Sequence, residues 1–325
     1  MILRQDAVSN RQGPDLPDGP LITIGNFDGV HLGHRTLILK AQEAARLHGW
    51  PLVVMTFWPN SGEGVPGREV RRIYTEEQKN DLFESLVPQA CMLRLTFDDG
   101  LRKMPEEEFF RHLLKERYGV KGIVVGENFR YGYGGAGNVE TLKAHCAQEG
   151  MFFQAVPGVQ EEESGRIISS TWIRELLEAG EMEHAGQLLG SSYYAEGEVL
   201  HGKRLGRTIG FPTVNLMLEP GLTEPRHGVY LSRIQTPDGW FYGITNLGLN
   251  PTVEHGNRIK IETHLLEHDG DLYGRHIRVE FLRYMREEHR FDSVEALKEQ
   301  LQRDKEKARC LIQEFHTENG GETQL

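Results

Sequence analysis

Three cysteines in 325 residues, Cys91, Cys146 and Cys310, make no CxxC pair and no disulfide framework. Their scarcity and scatter exclude a disulfide-stapled scaffold and point to a reducing cytoplasm. No apolar run approaches the roughly 20 residues that a membrane span requires. Met1-Ile2-Leu3-Arg4-Gln5-Asp6 lacks a basic region followed by an apolar stretch, so no secretory signal is expected. Excess positive charge is missing too. The formal net charge is −11, which argues against general nucleic-acid binding, since a phosphate-rich polymer needs a basic surface. No internal repeat and no obligate protein partner is evident.

What is present is an ordinary globular composition, 38% hydrophobic and 26% charged, in a chain long enough for two domains. From Leu21 to about Gly190, strand-like and helix-like segments alternate. Leu21-Ile22-Thr23-Ile24, Leu52 to Phe57, Met92 to Leu95 and Ile123-Val124-Val125 read as buried strands. Gly33 to Leu47, Thr75 to Leu86 and Pro105 to Tyr118 read as helices, the first with apolar residues near a 3.6-residue period. This alternation predicts an α/β domain over 1–190, with a Rossmann-like, mainly parallel sheet. After Gly190 short β-rich runs and turn signals take over, among them Pro237-Asp238-Gly239. They predict a second domain over 191–325, a small antiparallel β-barrel with a terminal helix from Ser293 to Glu314 and a polar tail from about residue 317.

Two glycine-spaced segments carry the chemistry. Gly25-Asn26-Phe27-Asp28-Gly29-Val30-His31-Leu32-Gly33-His34 follows a strand and opens a helix. Its glycines permit tight turns, the helix start offers free N–H groups to an anion, and His31 and His34 can donate to phosphate oxygens as charge builds. The spacing His31-x-x-His34 is also that of a metal pair, although no third ligand stands nearby. The second segment is Gly202-Lys203-Arg204-Leu205-Gly206-Arg207-Thr208-Ile209-Gly210, followed by Phe211-Pro212-Thr213-Val214-Asn215. It is not a Walker A loop, but Lys203, Arg204 and Arg207 make a local basic patch. Thr213 and Asn215, two apart, share one face of a strand and are oxygen ligands of the kind Mg²⁺ prefers.

The first segment resembles the HxGH signature of the nucleotidyltransferases, and more narrowly the adenylyltransferase domain of bacterial bifunctional riboflavin kinase/FAD synthetases. Ser169-Ser170-Thr171-Trp172-Ile173-Arg174 resembles that family's SSTxIR motif. The resemblance implies that Gly25, Asn26, Phe27, Asp28 and Gly33, with Ser170, Thr171 and Arg174, handle ATP, and that His31 and His34 act in catalysis. It places Asn60, Asn128, Phe129 and Arg130 on the flavin side. Four positions depart from the family pattern: Asn60 stands for a histidine, Asn128 for an aspartate, Gly135 for an arginine and Asn138 for an aspartate.

The second segment resembles the family's riboflavin kinase signature, GxxLGFPTxN. Gly228-Val229-Tyr230, Asn246 to Thr252, Ile261-Glu262-Thr263-His264-Leu265 and Asp271-Leu272-Tyr273-Gly274 follow in family order. The resemblance implies ATP contacts at Gly202, Lys203, Gly206 and Gly210, Mg²⁺ at Thr213 and Asn215, and Glu262 as general base. It implies flavin contacts at Arg286 and Asp304. The expected activity is phosphorylation of riboflavin to FMN by the second domain and adenylylation of FMN to FAD by the first. Riboflavin, FMN, FAD and ATP are then the small-molecule partners, with no membrane or nucleic-acid partner, and flavins are substrate and product rather than resident groups. The four departures leave an alternative open: a monofunctional riboflavin kinase with a degenerate, nucleotide-binding first domain.

Overall fold

A computed structural model describes residues 1–10, 13–59, 71–201, 210–250, 258–268 and 270–318. They form two compact units that divide between Ser170 and Thr171. The division falls before the expected Gly190 boundary, because Ser170–Ala179 and Met182–Leu189 are helices that associate with the second unit. There the Leu177 carbonyl accepts from the Arg226 amide at 3.0 Å, and Gly180 ends the first helix at φ +82°.

The first unit contains strands β1 (Ile2–Asp6), β2 (Leu21–Ile24), β3 (Leu52–Trp58), β4 (Cys91–Thr96), β5 (Gly122–Gly126), β6 (Arg130–Tyr131), β7 (Gly137–Asn138) and β8 (Phe152–Val156). Six of them make a sheet in the order β1-β4-β3-β2-β5-β8, parallel throughout. A sheet covered on both faces needs apolar residues in both directions, and β2 and β3 are near-continuous apolar runs for that reason. One face packs α1 (Leu32–His48) through Leu37, Ile38, Ala41 and Ala44. The other packs Phe109, Phe110, Leu113 and Leu142. The helix expected over Pro105 to Tyr118 is α-helical only over Glu106–Glu108 and continues in π-helical form over Phe109–Arg117.

Strand β1 is not signalled by the sequence pattern. Its edge position depends on buried Asp6, which accepts from the Arg117 guanidinium at 2.6 Å and the Tyr118 hydroxyl at 2.8 Å. The chain runs from β2 outward through β3 and β4, then returns to place β5 on the opposite side of β2. That reversal is a topological switch point, and the crevice outside the strand C-termini there is where open α/β sheets bind ligands. Gly25-Asn26 leaves β2, and Glu127-Asn128 leaves β5, at this crevice.

The second unit contains β9 (Tyr194–Glu198), β10 (Val214–Met217), β11 (Gly228–Thr236), β12 (Gly239–Asn250), β13 (Arg258–Leu265) and β14 (His276–Arg286). They pair antiparallel in the order β10-β13-β12-β11-β14-β9. A bridge between Leu200 and Asn215, with Leu200 N–H donating to the Asn215 carbonyl at 2.9 Å, joins the two edges and closes the barrel. The expected turn at Pro237-Asp238-Gly239 links β11 to β12. Helix Val294–Glu318 covers Val229, Leu231, Ile244 and Leu282 with Ala308, Leu311, Ile312 and Phe315. This helix runs past the expected start of a polar tail, so Thr317 and Glu318 are helical. Propagating an existing helix adds a hydrogen bond per residue without a new nucleus.

Candidate functional site

The histidine loop is held open by backbone that few residues adopt. Phe27 and Val30 have φ +50° and +41°, and Gly29 has φ +82°. A Cβ on Gly25 would sit 3.1 Å from the Phe27 ring, and one on Gly33 would sit 3.2 Å from the His31 ring, so both glycines serve close approach. His31 caps α1: it is 4% exposed, and its Nδ1 accepts from the His34 amide at 3.3 Å. A neutral ring with an accepting Nδ1 carries its proton on Nε2. The His34 ring stacks on it at 3.6 Å and meets Phe27 edge-on. Burial, then the neighbouring His31 and Lys79, pushes His34 well below the ordinary histidine range, so it is neutral. Its Nδ1 is buried with no hydrogen-bond partner among the described residues.

The first turn of α1 contains no acidic residue, which leaves its positive dipole end uncompensated. The Asp28 carboxylate accepts from the buried Ile73 amide at 2.9 Å. The Asp28 carbonyl accepts from the Ser170 hydroxyl at 2.9 Å, which ties Ser170 to this loop. Thr171 and Arg174 belong to the second unit, where Arg174 Nη1 lies 3.5 Å from the Thr171 hydroxyl. Among the described residues no group of three or more His, Cys, Asp or Glu side chains is placed to hold a metal ion.

Asn128 and Arg130 are exposed and Phe129 half-buried after β5, with Phe129 stacked on Tyr131 at 5.9 Å. Glu127 accepts from the Gly158 amide. Gly135 has φ +68°, a conformation that would strain an arginine, and Arg130 donates to its carbonyl at 3.3 Å. Asn138 caps helix Val139–Gln148 by accepting from the amides of Glu140 and Thr141, a task an aspartate performs equally well. Asn60 lies outside the described residues.

In the second unit, Lys260, Glu262 and His264 alternate along β13 with buried Ile259, Ile261, Thr263 and Leu265, so they share the outer face. Glu262 is directly opposite Asn215 on β10 and Asn246 on β12. Thr213 donates its hydroxyl to Glu262 Oε1 at 2.8 Å, and Lys260 Nζ donates to Oε2 at 2.8 Å. Asn215 is 5% exposed, and its Oδ1 finds no hydrogen-bond partner among the described residues. His264 Nδ1 donates to the Pro212 carbonyl at 2.8 Å and so fixes the residue before Thr213. Lys260 and His264 had no role legible in the sequence; only the alternation of β13 could have pointed to them.

Arg286 grips Asp304 with Nε at 2.9 Å and Nη2 at 2.7 Å, and Gln300 donates to Asp304 Oδ1 at 2.9 Å. Asp304 is 2% exposed, so this pair clamps the terminal helix onto β14. Gly210 is exposed at φ +83°. Gly202, Lys203 and Gly206 lie outside the described residues.

Comparison with known proteins agrees with this division of labour. The FAD synthetase family model matches residues 14–172, and the riboflavin kinase family model matches residues 189–312. A bifunctional riboflavin kinase/FMN adenylyltransferase from Pseudomonas fluorescens is 35% identical over 294 residues, 90% of this chain and 93% of that one. Its counterparts from Escherichia coli K12 and Bacillus subtilis are 37% and 31% identical, over 90% and 89% of this chain and 92% and 91% of theirs. A solved structure from Streptococcus pneumoniae, described as a macrolide-efflux protein, superposes with a TM-score of 0.84 at 29% identity, covering 95% of this chain and 99% of that one. In this chain, no helix among the described residues is long and apolar enough to cross a membrane. With both family models matched in order and relatives above 30% identity along nearly their whole length, the chain belongs to the family of bifunctional riboflavin kinase/FMN adenylyltransferases.

Proposed function

We propose that this chain carries out both reactions of its family: phosphorylation of riboflavin to FMN with ATP, and adenylylation of FMN to FAD with release of pyrophosphate. The observation that carries the reading is chemical. Each phosphate-handling segment is equipped for one of the two reactions and not for the other. A ribityl hydroxyl must lose a proton to attack the γ-phosphate, and Glu262 is the strand carboxylate assigned to take it. Thr213 donates to Glu262, which keeps the carboxylate in place and leaves the lone pairs of its own oxygen available. Together with the orphaned Oδ1 of Asn215, these oxygens suit Mg²⁺, whose preference is for hard oxygen ligands. When bound with ATP, Mg²⁺ would neutralise phosphate charge. Lys260 and His264 hold Glu262 and the Pro212-Thr213 segment, and Arg286 and Asp304 fix the helix that borders the flavin side.

In adenylyl transfer the attacking FMN phosphate is already an anion, so no base is needed. His31 and His34, the N-terminus of α1 and Ser170 are assigned to stabilise charge on the α-phosphate. Gly25, Asn26, Phe27 and Gly33 shape that loop, and Asp28 organises it through Ile73. The ATP roles of Thr171 and Arg174, of Gly202, Lys203, Gly206 and Gly210, and the flavin roles of Asn60, Asn128, Phe129 and Arg130 rest on the resemblance. The first functional domain is assigned to 1–190 and the second to 191–325, in a cytoplasmic enzyme. The test is incubation with Mg·ATP and either riboflavin or FMN, followed by flavin chromatography. FMN from riboflavin and FAD from FMN are expected. FMN without any FAD would restore the monofunctional kinase reading.

A further inference from the structure

Beneath the histidine loop lies a charged cluster that the family motifs do not include. Lys79, on α2 (Glu76–Leu86), is 3% exposed, and its ammonium lies 2.7 Å from Glu76 Oε1. The second Glu76 oxygen lies 3.7 Å from Arg94, so two cations share one buried carboxylate and the cluster keeps a net positive charge. An ammonium taken out of water is retained only where donors find acceptors. The second acceptor of Lys79 is the Thr56 hydroxyl, at 3.5 Å, at the C-terminal end of β3. Thr56 has one hydrogen to give, and gives it to the Asn26 carbonyl at 3.2 Å. The relay therefore runs in one direction, from the Lys79 ammonium through the Thr56 hydroxyl to the backbone of the loop that carries His31 and His34.

The same cation acts on His34 through space. The titratable groups around His34 are His31, stacked against it, and Lys79 from α2, with Glu76 and Arg94 behind Lys79. Burial is the largest influence, and both His31 and Lys79 add to it in the same direction. Buried Lys79 is shut off from solvent, so it does not serve as a direct phosphate ligand.

We infer that Lys79 is a positioning residue for adenylyl transfer: its buried ammonium fixes the backbone of the histidine loop through the Thr56 hydroxyl without itself touching substrate. This inference rests on the reading that the first unit adenylylates FMN. It separates two consequences. Loss of the relay disturbs geometry, whereas loss of the cation makes His34 easier to protonate. Since the cation pushes the protonation midpoint of His34 down, its removal moves that midpoint up, and the acid side of the pH–rate profile moves to higher pH.

The experiment uses the full chain as wild type, Lys79→Met, Lys79→Arg and Thr56→Val. FAD formation from FMN and Mg·ATP is followed from about pH 4.5 to about pH 9, a span that reaches below the ordinary histidine range because His34 is held under it. Circular dichroism and thermal melting report on the integrity of the first unit, and the kinase step in the same samples reports on the second. Lys79→Met is expected to lower kcat for FAD formation about tenfold to hundredfold, the scale of a misplaced catalytic group, with KM for FMN within about twofold. Its acid limb is expected to shift to higher pH. Thr56→Val should lower kcat without moving the acid limb, and Lys79→Arg should restore the wild-type limb. If Lys79→Met leaves kcat unchanged, or raises KM for FMN in step with the loss of kcat, the inference is overturned. Should Lys79→Met fail to fold, Thr56→Val decides: an unchanged kcat in that variant overturns it equally. Wild-type protein that makes no FAD at any pH would instead refute the adenylyltransferase reading.

Discussion

The two phosphate sites of this chain answer the same electrostatic problem with opposite materials. In the first unit no carboxylate sits in the first turn of the helix that follows the loop: the loop carries stacked histidines, a helix N-terminus without acidic residues, and an aspartate engaged with the Ile73 amide, and its nearest formal charge is the buried ammonium of Lys79. In the second unit the face of β13 carries formal charge, with Glu262 held between Thr213 and Lys260. The difference follows from the nucleophile. A phosphate arrives at neutral pH already ionised, so a carboxylate near it would only repel it. A ribityl hydroxyl arrives protonated, so a carboxylate must be there to receive the proton.

Substitutions that exchange these requirements should separate the activities. The largest effect is expected from Glu262→Gln, which keeps shape and removes basicity. FMN formation from riboflavin should fall about 10²- to 10⁴-fold, the usual weight of a general base, while FAD formation from supplied FMN stays within about twofold. Equal loss of both activities in a folded variant would break the comparison.

Next comes Asp304→Ala, which removes one partner of a buried ion pair and leaves Arg286 without its carboxylate. Unfolding of the second unit should become easier by about 3–5 kcal/mol, read by denaturant titration. Because the pair lies wholly in the second unit, FAD formation from FMN should survive at temperatures where the kinase is lost.

His34→Ala should slow FAD formation about 10²- to 10³-fold, as for loss of one preorganised charge stabiliser, and leave the kinase untouched. A kinase rate that fell in parallel would contradict the assignment of His34 to one reaction.

The smallest effect concerns pH. The folded state holds His34 below its ordinary range, so it resists a proton that the unfolded chain accepts at about pH 6.5. Stability from this source is complete above that pH and declines as the pH falls below it. The melting temperature of the first unit should therefore drop on acidification, and His34→Ala should flatten the dependence. An unchanged slope in the variant would place the effect elsewhere.

Much of the fold was legible in order. Strand–helix alternation up to Ile123-Val124-Val125 corresponds to β2, α1, β3, α2, β4 and β5. Short runs after Gly190 correspond to barrel strands. Among the elements that were not legible, two show different reasons. Strand β1 is a polar segment whose place depends on Arg117 and Tyr118, more than 100 residues away. Helix Met182–Leu189 begins just past Gly180, where the preceding helix is read to stop, and its start carries no side-chain cap to announce it.

The sequence by itself determined which chemistry each half can attempt. Glycine placement, the two histidines, the hydroxyl–amide pair Thr213/Asn215 and Glu262 are local patterns, and local patterns encode turns, faces and donor types. The tertiary structure decided which of those groups are turned toward the site and which charges they meet. Asp28 is turned to Ile73, Lys79 is drawn beneath Asn26 through Thr56, and His264 reaches Pro212, 52 residues earlier in the chain. Such contacts depend on sheet order and strand register, which arise from packing the whole core at once. No window of neighbouring residues contains them.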